Sequence, residues 1–600
     1  MSIRNNLRFF QVLLILLAFL LEYYAAYGTE VLSCTEINDV FTKVAKENDL
    51  AFPACQCYYN PEFFPDYLSS QVSTPSPWIG CGRQKMPHVF KTLSALNKTE
   101  ISKLWIWDSL INIVPAKMFL QVRPITLSIQ HSGVSVFRPS AFEKIGSNLK
   151  VLELRHNLLK SFEPLMSDHL RNLSVLDLAE NKISKVFIGK GQLAFFPELE
   201  TLVLNDNRLS LIEDGAFDCL KNLRILNLAG NNLTSVKSEM FDGLESLEEL
   251  YLQNNNFVNF RLTNRMPLRN LKILNLESNK LSVIVLERMA MLEKLVLSKN
   301  NIASIKDVEV VDNCNLKMLT LDHNTIKQIR QVDLAQLQQC KSLEVLSVAG
   351  NMVKYIEPNA FKPLNNLKIL SLDNNEITAI STLSNITTGN CSFLYPLTVL
   401  ENLYLSNNEI TKISKNDLIT LKSLKVLDLD SNQIQEVSPE ALRNLSLSSL
   451  YLANNRLSNL PKGLFDSAAM YIERIDLSGN PWHCISNEKW LPLWAEKIID
   501  HTLRSSLVGC IKSVEKSEAH NSMITVIAGG LAVVSLLSLF AIAFLYFEDG
   551  RRMKHVPSDL LLLVSDVDDA RQPLNDETTT EKDTSLSSNT AKKRVTFDGV

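Results

Sequence analysis

The sequence predicts an α/β solenoid, in which about sixteen coils stack so that their strands form one parallel concave β-sheet, joined to one transmembrane helix and a disordered tail. Three observations carry this expectation. A motif of the form L-x-x-L-x-L-x-x-N returns through most of the 600 residues. All ten cysteines lie at or before Cys510. Two uncharged apolar segments bracket the repeats.

Composition narrows the possibilities before any element is placed. With 61 Lys and Arg against 65 Asp and Glu, the net charge is −4, so the chain offers no polycationic face for nucleic acid. Its 46% apolar and 21% charged content is that of a mostly folded chain. An even number of cysteines confined to one stretch points to an oxidising compartment for that stretch and away from a cytosolic enzyme. Neither paired C-x-x-C nor C-x-x-C…H-x-x-x-H spacing occurs, so structural zinc is not expected.

The first element is Val12–Leu21, a short apolar run behind Arg4 and Arg8, followed by Ala26-Tyr27-Gly28. It is too short to span a bilayer, and small residues stand where a signal peptidase reads. Residues 1–28 therefore read as a cleaved secretory signal, the alternative being an uncleaved anchor. Residues 29–90 make a cysteine-rich N-terminal region and cap, 91–480 the repeats, and 481–522 a C-terminal cysteine cap and juxtamembrane stalk. Met523–Phe547 runs for twenty-five residues without a charge, enough to cross the ~30 Å hydrocarbon core. Arg551, Arg552 and Lys554 follow it, which predicts a type I single-pass plasma-membrane protein with its N-terminus extracellular.

The repeats are read from the ladder position. Asn occupies it at 157, 181, 207, 231, 255, 279, 300, 324, 351, 375, 408, 432, 455 and 480, while Ser109 and Ser132 hold it in two earlier copies. Spacings run mostly from 23 to 27 residues, with one of 21 and one of 33. Each L-x-L predicts a short strand with leucines inward and alternate residues outward. The Asn satisfies backbone groups of neighbouring coils. Phe142, Phe217, Phe241, Phe361 and Phe465 recur where a convex-side stack is expected. No coil buries its leucines alone, so the coils must stack.

These motifs resemble those of the extracellular leucine-rich-repeat single-pass transmembrane proteins, a leucine-rich-repeat horseshoe of the typical 24-residue class, over roughly residues 90 to 480. The resemblance implies cap disulfides Cys34–Cys57 and Cys55–Cys81, here over spacings longer than usual. NPWHC at Asn480–Cys484, with Trp490, Trp494 and Cys510, is similar to the C-terminal cap. Ser486 replaces one of that cap's four cysteines, which leaves Cys484–Cys510. Cys314 and Cys340 stand just before the first Leu of adjacent repeats, either as a bridge between coils or as buried free thiols. Cys219 and Cys391 are expected to stay reduced.

No sequence motif supports catalysis. H-E-x-x-H, G-x-S-x-G and a phosphate-binding Gly loop are all missing, so neither an enzyme nor a cofactor is expected. Asp428-Leu-Asp430-Ser-Asn432 opens like a calcium loop, but it lacks the required Gly, and Pro439 stands where the bidentate Glu belongs.

Binding is left to the outward strand positions. Trp105 and Trp107 point outward in the first repeat, either toward a ligand or beneath the N-terminal cap. Tyr251, Tyr404 and Tyr451 occupy central outward positions. Glu249, Gln253 and Glu277, with Asp322, Asp373, Asp428 and Asp430, give the face an acidic cast suited to a basic or aromatic-rich protein. N-x-S/T sites at Asn97, Asn172, Asn232, Asn385, Asn390 and Asn444 mark surface available to glycans. The expected function is a cell-surface receptor or adhesion protein binding an extracellular protein ligand or homophilic partner through the concave face. The alternative is an immune-type pattern-recognition receptor or co-receptor for a secreted or microbial ligand, signalling through an associated chain.

The tail, 548–600, has the Ser, Thr and Asp content of disorder and no room for the signalling domain of Toll-like receptors. Near its end Arg594, Val595 and Phe597 are similar to the R-V-x-F docking motif of protein phosphatase type 1 regulators. The alternative for that cluster is a basic patch on anionic lipid.

Overall fold

A computed structural model describes residues 32–59 and 77–482, apart from short stretches at 146–147, 187–190, 192, 263–267, 312–313, 382–391 and 466–471. Helix α1, Cys34–Glu47, begins at a capping box in which Ser33 and Glu36 satisfy each other's backbone amides. Its buried Ile37, Phe41, Val44 and Ala45 fall on one face, turned toward the cap interior. Strand β1, Gln56–Tyr59, runs antiparallel to β2, Pro77–Gly82. Disulfides Cys34–Cys57 and Cys55–Cys81 tie α1 to β1 and the start of β1 to β2. The side chain of Asn38 accepts from and donates to the Cys57 backbone across the same junction. Helix α2, Met86–Ser94, leads into the first long strand, β3 (Thr99–Trp107).

From β2 onward the sheet is parallel. β2 pairs with β3, and β3 with β4, Val122–Gln130, after which most strands shrink to three residues. The register never slips. Leu104 faces Leu127, Leu127 faces Leu152, and the same in-line match of central residues continues to Leu450 and Ile475. The result is one 18-stranded sheet including the antiparallel cap strand. Leucine alternation sends the central and flanking apolar residues into one continuous core that runs from the cap to the last coil.

The ladder residues close the turn after each strand. Asn157 Nδ2 donates to the carbonyls of Ile129, Leu154 and Arg155, and its Oδ1 accepts from the Val134 amide. Asn432 repeats the pattern with Leu405, Leu429, Asp430 and Ile410. Where Ser replaces Asn the hydroxyl does part of this work: Ser132 Oγ donates to the Gln130 carbonyl and accepts from the Ser109 amide.

Two expectations need correction. The helical half of an α/β solenoid is not formed. Among the described residues the side opposite the sheet carries two- to five-residue strands and 3₁₀ turns, and α-helix occurs only in the N-terminal cap. A coil of about 24 residues has too little chain for an α-helical return at 1.5 Å per residue, and 3₁₀ or extended backbone covers the distance with fewer residues. Buried Phe119, Phe196 and Phe393 join the expected phenylalanines on that side, with Phe119 and Phe142 centroids 6.2 Å apart.

The second correction concerns the membrane. Among the described residues no helix is long and apolar enough to cross one. Met523–Phe547 lies outside them, as do the signal at 1–28, Cys484, Cys510 and the tail at 548–600. A span requires about twenty consecutive apolar helical residues, and no described element supplies them. The described residues thus do not bear out the expected transmembrane helix, nor the membrane-inserted topology and plasma-membrane location that depend on it.

Candidate functional site: the strand face

The outward positions of the sheet form three columns, because each short strand presents alternate side chains at register-matched places. At the N-terminal end Trp105 and Trp107 stack with centroids 4.2 Å apart. Trp107 lies over β2. A Cβ on Gly82 would stand 2.2 Å from its indole and one on Gly80 3.1 Å, so the cap strand makes room for the ring only by lacking side chains there. Lys103 is buried on this face, 3.1 Å from Glu153 and 5.7 Å from the Trp78 ring centroid. Next to that pair Arg155 meets Asp177 at 2.5 Å, while burial pushes the Asp177 carboxyl above its ordinary value against the pull of Arg155.

In the middle of the sheet the Tyr251 hydroxyl donates to Glu249 at 2.7 Å, with Gln253 buried beside them. Two strands on, burial depresses the Lys294 ammonium while Glu249 works in the opposite direction. Glu277 pairs with Lys299 at 2.9 Å. The carboxylates of this middle region thus have cations close by.

Toward the C-terminal end the face changes. The register aligns Tyr404 with Asp428, Asp428 with Tyr451, and Tyr451 with Asp476, giving an alternating aromatic and acidic column. Asp373 accepts from the Ser371 hydroxyl and from both the amide and the hydroxyl of Ser406. Asp428 and Asp430 are poorer in donors: Asp428 accepts from the Asp430 amide at 3.0 Å, and Asp430 from the Ala453 amide at 2.6 Å. Burial, together with Asp373 and Asp476, raises the Asp428 carboxyl to about 6. Burial, then Asp428 and Asp476, raises Asp430 to about 8. Burial beside Asp373 and Asp428 raises the Tyr404 phenol to about 12.

The remaining sequence candidates are dispersed. Cys314 and Cys340 form a disulfide between adjacent coils, and Cys219 is an exposed free thiol. Asn97, Asn232 and Asn444 are exposed and Asn172 half-buried, all beside strands rather than on their outward positions. Asn385, Asn390, Arg594, Val595 and Phe597 lie outside the described residues. Sequence reasoning missed Asp476, the glycine bed under Trp107 and the Lys103–Glu153 pair. Asp476 was available from the repeat register, whereas the other two depend on how coils meet.

No group of His, Cys, Asp and Glu among the described residues could hold a metal. The fold is that of a leucine-rich-repeat solenoid with a polar outward face. Models of the leucine rich repeat match residues 126–183, 197–257 and 398–457, and a two-copy model matches 341–385. Among curated proteins, the P-granule-associated novel protein 1 of Caenorhabditis elegans is 34% identical over 268 residues, 41% of this chain and 44% of that protein. Mouse nephrocan is 30% identical over 148 residues, 24% of this chain and 25% of that protein. The chain thus spans less than half the length of these relatives. Among solved structures, the Toll–Spatzle complex of Drosophila is similar with a TM-score of 0.51 at 16% identity, over 74% of this chain and 66% of that one, a likeness of fold.

Proposed function

We propose that the solenoid is an immune-type recognition receptor or co-receptor that captures a secreted or microbial protein ligand on its strand face and signals through an associated chain. The observation that carries this reading is the composition of that face: Tyr251, Tyr404 and Tyr451 stand on short, register-locked strands and Trp105 on the longer β3, among carboxylates and amides. Rigid aromatic anchors within a polar surround are what protein interfaces concentrate. Disulfides in the cap and mid-solenoid accord with an oxidising, secretory environment. Homophilic adhesion through the same face is disfavoured by its charge, because at its C-terminal end a second copy would bring acidic groups such as Asp428 and Asp476 near like carboxylates.

The test is a binding screen of the full chain against secreted proteins, followed by variants. Tyr251→Ala or Tyr404→Ala should weaken a captured ligand at least tenfold, and Gln328→Ala, exposed on the opposite side, should leave it unchanged. A ligand lost with Gln328→Ala but indifferent to both tyrosines would place binding elsewhere. Bead-to-bead clustering by the chain alone would favour adhesion instead.

A further inference from the structure

We propose that the column Tyr404–Asp428–Tyr451–Asp476 docks an extended, proline-rich segment of a protein partner carrying Arg or Lys at every third residue. The inference rests on the strand face being the binding surface, and adds where on it and to what chemistry.

Charge complementarity is the first argument. On the outward positions of strands Ile369–Ser371, Asn402–Tyr404, Val426–Asp428, Ser449–Tyr451 and Arg474–Asp476 and the residues just beyond them, the charged groups are Asp373, Asp428, Asp430, Asp476 and a single cation, Arg474. The tyrosines Tyr404 and Tyr451 are the other titratable groups there. On the neighbouring row of the same strands three of the four charges are matched, Lys425 with Glu401 and Lys368 with Glu344 of the preceding coil. The fold therefore compensates charge at the strand starts and leaves it uncompensated on the face, where burial makes each ionised carboxyl costly. An incoming cation supplies what the chain does not.

Geometry is the second argument. Asp428 and Asp476 sit on strands two apart, as do Tyr404 and Tyr451. At about 4.8 Å per strand the like groups repeat every ~9.6 Å. A polyproline II segment has three residues per turn and advances about 9.3 Å in that turn, so its every third side chain falls on one face at nearly the same interval. Cations spaced in this way meet successive carboxylates, while prolines between them lie against the tyrosine rings, the aromatic surface such segments use.

The experiment measures fluorescence anisotropy of two labelled peptides on the full chain at physiological salt. One is an (Arg-Pro-Pro) repeat and the other an isomer of equal composition with its arginines grouped. The spaced peptide should bind at least tenfold more tightly. Asp428→Asn with Asp476→Asn should cost tenfold or more, Asp476→Asn alone a smaller loss, and Glu277→Gln nothing. Affinity should fall as pH drops from 8.5 to 5.5, since protonated Asp428 and Asp430 no longer attract a cation. Thermal melts establish that each variant is folded. Equal binding of the two peptides, or an unchanged affinity in the folded Asn variants, would overturn the inference. If a secreted ligand still depends on Tyr251 or Tyr404 after such a result, the face remains the binding surface and only the peptide chemistry is wrong.

Discussion

At the residue scale, the ladder asparagines and the uncompensated aspartates have opposite effects on stability. Asn279 is buried; its Nδ2 donates to the carbonyls of Leu252, Leu276 and Glu277, and its Oδ1 accepts the Phe257 amide. Asn279→Ala strands several buried backbone groups at once, and should cost about 2–4 kcal/mol in denaturant unfolding. Asp430 behaves in the other sense. Its folded carboxyl is raised to about 8 from the ordinary 3.8, so the folded chain holds a proton that the unfolded chain releases. Stability from this group is therefore complete below pH 4 and declines as pH rises toward 8. Asp430→Asn should leave stability unchanged near pH 3 and raise it at pH 8, by about 1 kcal/mol once solvent screening is allowed for. Melting curves at the two pH values check the sign. The asparagines were legible because each coil needs the same amide at the same place, so one physical requirement prints a period. The Trp107 site was not, because its partners Gly80 and Gly82 come from a cap strand that carries no repeat motif.

At the scale of the strand, a charge pattern emerges that no single repeat contains. Two positions before the central Leu of nine consecutive coils the chain places Arg224, Glu248, Lys272, Glu293, Lys317, Glu344, Lys368, Glu401 and Lys425, alternating in sign coil by coil. Glu248 binds both Arg224 at 2.8 Å and Lys272 at 2.7 Å, and Lys317 meets Glu293 at 3.0 Å. Burial pushes the Glu248 carboxyl up, but hydrogen bonds from Lys272 and Arg224 outweigh it and hold the group below its ordinary value. Single pairs of this exposure contribute little. The row matters because a slip by one coil would set like charges together, which defines the register that the leucines alone leave degenerate. Lys272→Ala should cost under about 1 kcal/mol, and Lys272→Glu, which sits between two glutamates, about 1–2 kcal/mol more at low salt. The gap between the two variants should shrink in 0.5 M salt; a gap unaffected by salt would mean that packing, not charge, carries the loss. The residues of this row were visible in the sequence, yet their adjacency became apparent only once the register was known.

At the scale of the whole solenoid, stability is a sum over neighbouring coils, so the weakest junction governs how it comes apart. One junction differs from the other interruptions of the back-side ladder in that a disulfide crosses it. Behind the sheet a ladder of strands at Asn259–Leu262, Val283–Glu287 and Val308–Val311 is hydrogen-bonded coil to coil. It ends there, and the next coil presents the 3₁₀ segment Gln331–Gln339, linked back by a hydrogen bond from Gln339 to the Val310 carbonyl. Cys314 and Cys340 bridge this change of backbone, with Cys340 buried in the core. Closing a loop of 26 residues in the unfolded chain contributes about 3.5 kcal/mol in the chain-entropy account. The bridge therefore offsets the missing back-side hydrogen bonds where they stop. Cys314→Ser with Cys340→Ser should split one unfolding transition into two, and hydrogen exchange should rise first at residues 305–345. Cys55→Ser with Cys81→Ser should instead loosen the N-terminal coils around β3 and β4, because it uncaps an end and leaves the middle joined. If both pairs of substitutions raised exchange uniformly along the chain, the coils would be unfolding as a single cooperative unit, and the junction would have no special place in its stability.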